Sequence, residues 1–172
     1  MNCGILISLL LAQAPGIAPD WDLKPQVEKI GPEVQRLRPL LDQLQPEKWT
    51  AAGAPAAYEK QYKDCIANIG YVQNAATRLV EQPAKLTLAV ETLVRLETLI
   101  QLSTSVSQAV RRYQNPAVAE LLESEISTAG ASRTWLRQHV SDLSALREKE
   151  LEVTEQEAQR CRAQTLKQGG KK

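Results

Sequence analysis

Apolar residues recur at intervals of three and four along most of the chain, the spacing that places them on one face of an α-helix. One series runs from Leu23 to Leu44, a second runs from Tyr58 to Leu79, and a third lies within the stretch that begins at Pro116. These series predict an all-α protein in which amphipathic helices pack face to face.

The first series predicts an N-terminal amphipathic helix with Pro25 near its start. Pro32 and Pro39 lie off its apolar face. An interior proline removes a helical hydrogen bond, so we expect bends at these positions. Because the register is unbroken, bending is favoured over two unrelated segments. The apolar face consists of Leu23, Val27, Ile30, Val34, Leu37, Leu41 and Leu44.

The last series predicts a long helix from Pro116 to about Gln164. Asn115 suits the N-cap position and Pro116 suits the first helical position, and only Gly130 interrupts the run that follows. The periodicity places Cys161 on the packing face. That face consists of Leu136, Val140, Leu143, Leu151, Thr154, Ala158 and Cys161.

The N-terminus has the pattern of a secretory signal peptide. Residues 1–14 carry no charged side chain, and an apolar run from Gly4 to Ala12 leads into the small-x-small sequence Ala12-Gln13-Ala14. The run is too short to span a bilayer, which needs about 20 residues. We therefore expect residues 1–14 to be a signal peptide, residues 15–22 a linker, and the product to be periplasmic or extracellular.

Two cysteines, Cys65 and Cys161, remain after removal of that segment. An even number of cysteines in an exported chain favours a disulfide, and both residues lie on apolar helix faces. The sequence therefore predicts a Cys65–Cys161 bond.

Pro83 leaves two topologies open. In the first, residues 56–113 form one helix kinked at Pro83, and 116–164 returns antiparallel, which brings Cys65 level with Cys161. In the second, Pro83 reverses the chain and leaves Cys161 about 50 Å from Cys65 along a straight final helix. The expected disulfide favours the long antiparallel hairpin plus the N-terminal helix. A compact up-down four-helix bundle is the alternative.

Residues 84–113 carry apolar side chains on more than one face, so this helix needs more than one neighbour. Either the compact bundle covers the second face or a partner molecule does. The residues of this predicted partner surface are Leu88, Val94, Leu99, Leu102 and Val106.

Composition supports one helical domain, placed at 23–166, with a disordered tail at 167–172. The chain has 172 residues, no Phe and a net charge of +1. Aliphatic and helix-forming residues dominate, as in helix bundles. The near-neutral charge argues against a dedicated nucleic-acid binder.

No group of residues predicts catalysis or a cofactor. His139 is the only histidine, so it cannot complete a zinc or di-iron ligand set. We expect it to be an ordinary surface or hydrogen-bonded residue, and the acidic stretch 148–157 to be a solvated helix face. Trp49 is expected to anchor the loop 45–55, and Trp135 to pack beside Leu136.

These features favour an exported, non-enzymatic helical scaffold or interaction protein that binds a protein partner or itself. A chaperone-like binder of apolar segments and a small-ligand-binding bundle are the alternatives.

Overall fold

The computed structural model describes residues 20–169, with side chains described for 22–164. The predicted signal peptide and residues 15–19 of the predicted linker lie outside this range, as do residues 170–172 of the predicted tail. The described chain is helical and contains no strand. Its helices are α1 (Asp20–Glu28), α2 (Ile30–Gln35), α3 (Leu37–Leu41), α4 (Pro46–Ala51), α5 (Ala57–Glu81), α6 (Leu86–Tyr113) and α7 (Pro116–Gly169).

Helices α1 to α3 are consecutive pieces of one bent helix, here called the N-terminal segment. Pro32 and Pro39 have no N–H for the carbonyls of Glu28 and Gln35, and α1 and α2 end at those two residues. Both prolines are exposed. Every member of the predicted apolar face from Leu23 to Leu44 is buried. The prediction of a bent helix with one continuous face is confirmed.

The chain reverses direction between α5 and α6. Pro83 lies in the connection, where the N–H of Lys85 donates to the carbonyl of Gln82 at 3.0 Å. Two contacts show the antiparallel pairing: Arg78 of α5 lies 3.0 Å from Glu91 of α6, and Tyr58 and Tyr113 lie at the other end of the pair with ring centroids 6.3 Å apart. The predicted long helix kinked at Pro83 is therefore wrong.

The alternative topology, a compact up-down four-helix bundle, is the one observed. Helix α7 runs antiparallel to α6, since Ser107 donates to Glu123 at 2.9 Å while Arg137, farther along α7, binds Glu97, which lies earlier in α6. The N-terminal segment completes the bundle by packing on both α5 and α7. It contacts α7 through the 2.5 Å hydrogen bond from Ser132 to Glu33.

The second apolar face of α6 is covered mainly by the chain itself. Leu88, Leu99 and Val106 are buried because α6 lies between α5 and α7. Leu102 is half-buried and Val94 is exposed. The predicted partner surface thus does not exist as one exposed patch, because the reversal at Pro83 supplies the neighbour that a simple hairpin lacks.

The two cysteines are not within disulfide distance, so the predicted bond is also wrong. The Cys65 thiol is buried, with Sγ 3.2 Å from the hydroxyl of Ser103. Cys161 is exposed on the distal part of α7. The apolar periodicity of α7 continues beyond the end of the bundle, so the periodicity alone does not show that Cys161 is buried.

Trp49 closes one end of the bundle, as expected of a loop anchor. It lies in α4, is buried, and donates from Nε1 to the side-chain oxygen of Gln114 at 2.9 Å. The backbone N–H of Gln45 donates to the same oxygen at 3.1 Å. The α3–α5 connection is thereby fastened to the turn between α6 and α7.

A pair of leucine substitutions on α7 tests where the bundle ends. We expect Leu136→Ala to lower the free energy of unfolding by about 2–5 kcal/mol, since Leu136 is fully buried. Leu151→Ala, the matched control, should change it by less than about 0.5 kcal/mol, because Leu151 is 60% exposed. Urea unfolding of dilute protein followed by tryptophan fluorescence measures both, and similar losses would contradict this boundary.

Candidate interaction surface

The single histidine, His139, has a structural role at the turn between α5 and α6. His139 is buried on α7, and its Nε2 lies 2.7 Å from the carbonyl oxygen of Pro83, to which a protonated Nε2 donates. The imidazole stacks on Trp135 with centroids 5.1 Å apart and an interplanar angle of 13°. Asp142 instead accepts from Gln138 at 2.8 Å. The expectation of a hydrogen-bonded histidine is confirmed, and its partner is the chain reversal.

Trp135 lies at the edge of the bundle. Its ring is half-buried and packs against the core as well as on His139. This agrees with the expected packing role. Trp135 therefore helps to orient His139, which forms a hydrogen bond with the Pro83 carbonyl.

A second polar contact inside the bundle links α6 to α7. The buried Ser107 hydroxyl donates to Glu123, whose other carboxylate oxygen accepts from Arg111 at 2.8 Å. The hydrogen bond from Ser107, followed by that from Arg111, lowers the pKa of the Glu123 carboxyl. These side chains satisfy one another, which indicates a structural contact.

An open groove of about 490 Å³ lies between the N-terminal segment and α5. It forms where Gly31 and Pro32 bend the segment, and Val27, Ala76 and Val80 contribute to its wall. Its lining is mainly apolar and includes no histidine, cysteine or lysine. The groove therefore offers shape and mainly apolar contact.

The most distinctive feature is the part of α7 that continues beyond the bundle, here called the arm (residues 148–169). At its base Arg147 donates to the carbonyl of Ala84 at 3.4 Å. Every described side chain after Leu146 is exposed, although the helix continues to Gly169. At 1.5 Å per residue the arm extends roughly 30 Å.

Charges on the arm are segregated along its length. The proximal half contains five glutamates and one lysine, Lys149, whereas the charged residues from Arg160 onward are all basic. The glutamates are Glu148, Glu150, Glu152, Glu155 and Glu157. Among the described side chains, Glu150 is the one of these that forms an ion pair, with Arg147 at 2.6 Å. The sequence correctly predicts solvated glutamates there but not that the whole helix circumference is exposed.

Two large aliphatic side chains are exposed among these charges. Leu151 is 60% exposed and Val153 is 47% exposed. Leu151 shares a face with Thr154, Ala158 and Cys161, which are small enough to allow close approach of another helix. The arm thus combines an exposed narrow face with charged side chains of which, among the described residues, Glu150 alone forms an ion pair.

Comparisons of the chain with protein-family models, with curated proteins and with solved structures find no match. Within the described residues, no cluster of histidine, cysteine and acidic side chains could hold a metal ion. None of the described helices combines the length and hydrophobicity needed to cross a membrane. The bundle and its arm are therefore the features from which a function can be inferred.

The Cys65 thiol should be unreactive in the folded protein. Burial raises the pKa of this thiol more than its hydrogen bond with Ser103 lowers it, and the thiolate is the nucleophile. We expect iodoacetamide to alkylate Cys65 only after addition of urea. Peptide mass mapping measures the modification, and resistance of Cys65 in urea until a reductant is added would restore the disulfide.

Proposed function

We propose that the protein is a non-enzymatic helical scaffold that presents the arm to a protein surface. The observation that supports this proposal most directly is the continuation of α7 to Gly169 after its last half-buried side chain, Leu146. A helix that does not pack on its own domain gains little stability in water, since most helical stability in proteins comes from tertiary packing. Contact with another protein would provide that packing.

The bundle in this proposal is a rigid base. The side chains of the bundle that could act in catalysis are engaged in internal contacts. His139 contacts Pro83, Ser107 contacts Glu123, and Cys65 contacts Ser103. These pairings support a structural role for groups that would otherwise be candidates for catalysis. The base holds one end of α7 in a defined direction, and the arm extends from that end.

The chaperone-like and small-ligand alternatives have weaker support. A clamp for apolar segments needs a broad apolar surface, whereas the second face of α6 is largely buried. A ligand-binding bundle needs a cavity between its helices, whereas the groove beside Gly31 opens to solvent. The arm is therefore the better candidate for the functional element.

Site-specific photocrosslinking tests this function. A photoreactive residue replacing Leu151 on the arm should yield discrete protein adducts under native conditions, because Leu151 lies on the exposed narrow face that a partner would cover. The same residue at Leu121, which is also exposed on α7 but lies in the bundle, should yield few. Absence of adducts from position 151 in protein crosslinked within the producing cells would overturn the proposal.

We propose in addition that the protein is exported, on the strength of the apolar run and the Ala12-Gln13-Ala14 sequence at its N-terminus. Cleavage after Ala14 would leave a chain that begins at Pro15. Intact-mass measurement of protein recovered from the producing cells should give the mass of 15–172. Recovery of the full 172-residue chain from the cytosol would refute export.

A further inference from the structure

The arm carries a charge pattern that is complementary to itself when reversed. Its proximal half has a net negative charge, with five glutamates and Lys149, and the charged residues of its distal half are all basic. Placed side by side in opposite directions, two arms would set the acidic half of each against the basic half of the other. Placed in the same direction, acidic would face acidic and basic would face basic.

We propose that two copies of this chain pair through antiparallel arms. This inference rests on the proposed function and names the partner as a second copy. The interface would be isologous, with the same residues contributed by each copy, as two-fold symmetry requires. Each arm would cover the exposed narrow face of the other.

The apolar seam fixes the register. Leu151, Thr154, Ala158 and Cys161 follow the three-four spacing of a two-stranded coiled coil. Aligning Ala158 of one copy with Cys161 of the other sets positions 151 and 154 level with positions 168 and 165, which continue the same three-four spacing. In this register Glu155 of each copy flanks the seam opposite Arg162 of the other. Two symmetry-related ion pairs therefore form from side chains that have no ion pair in the described chain.

The seam contains one leucine and several small residues, so its apolar burial is modest. Exposed ion pairs contribute little individually and are screened by salt. We therefore expect a reversible dimer that dissociates on dilution and weakens as salt concentration rises. Such a dimer would place two bundles at opposite ends of the paired arms.

Complementary charge variants of the full chain test the register. In Glu155→Arg both facing positions are basic, and in Arg162→Glu both are acidic, so each variant alone should dimerise about tenfold more weakly. Mixing the two variants restores both ion pairs. The mixture should form a heterodimer with an affinity close to that of the native homodimer. Sedimentation velocity over a concentration series measures all three.

Glu152→Arg is the matched control, because Glu152 lies on the outer side of the arm, away from the seam, and undergoes the same change of charge. We expect it to dimerise like the native chain. Equal weakening by Glu152→Arg and Glu155→Arg, or failure of the mixed variants to associate, would overturn the antiparallel register.

A strictly monomeric native chain at all concentrations would overturn the pairing altogether. In that case adducts of another protein at position 151 would leave the proposed function standing, and absence of any adduct would remove both proposals.

Discussion

Pro83 and its carbonyl oxygen determine how the helices are arranged. Pro83 lacks the N–H that would continue the hydrogen bonding of α5, and the chain turns within the residues that separate Glu81 from Leu86. From the opposite side of the bundle, His139 binds the Pro83 carbonyl at 2.7 Å. The turn is therefore stabilised both by Pro83 itself and by the contact from His139 on α7, the last helix in the chain.

The reversal places α6 between α5 and α7, which explains why a helix apolar on two faces can be covered within one chain. It also explains the arm. The α5 and α6 helices contain 25 and 28 residues, whereas α7 contains 54. An antiparallel bundle cannot cover a helix about twice as long as its neighbours. The mismatch in length follows from the turn, and the uncovered remainder is the surface to which we assign function.

The apolar periodicity predicted which side of each bundle helix is buried. The faces from Leu23 to Leu44 and around Leu136 form as the spacing indicates, because burial of a continuous stripe dominates helix packing. Periodicity does not indicate whether a neighbouring helix exists, so the prediction that Cys161 lies on a packed face was wrong. The change in composition after Leu146 carried that information. From there to Gln164, Leu151 and Val153 are the only large aliphatic residues among closely spaced charges.

The topology could not be derived from the spacing because Pro83 falls in phase with the apolar faces of both α5 and α6. A kink and a reversal give the same pattern, and the assumed disulfide then selected the wrong one. The contacts that distinguish them are the ion pair between Arg78 and Glu91 and the ring contact between Tyr58 and Tyr113. Sequence periodicity contains no signal for such contacts. The arm, in contrast, is recognisable in the sequence as a charged helix. Its charged residues were interpreted as the solvated face of a helix whose other face packs on the bundle.

A distance measurement between spin labels at Lys60 and Arg112 tests the reversal most directly. Both side chains are exposed, and they lie near the paired ends of α5 and α6. With Cys3, Cys65 and Cys161 replaced by serine, labelled Lys60→Cys/Arg112→Cys protein should show a short separation. It should be comparable to the ~10 Å between neighbouring helix axes plus the label linkers. A separation near the roughly 80 Å expected for one continuous helix over these residues would contradict the account.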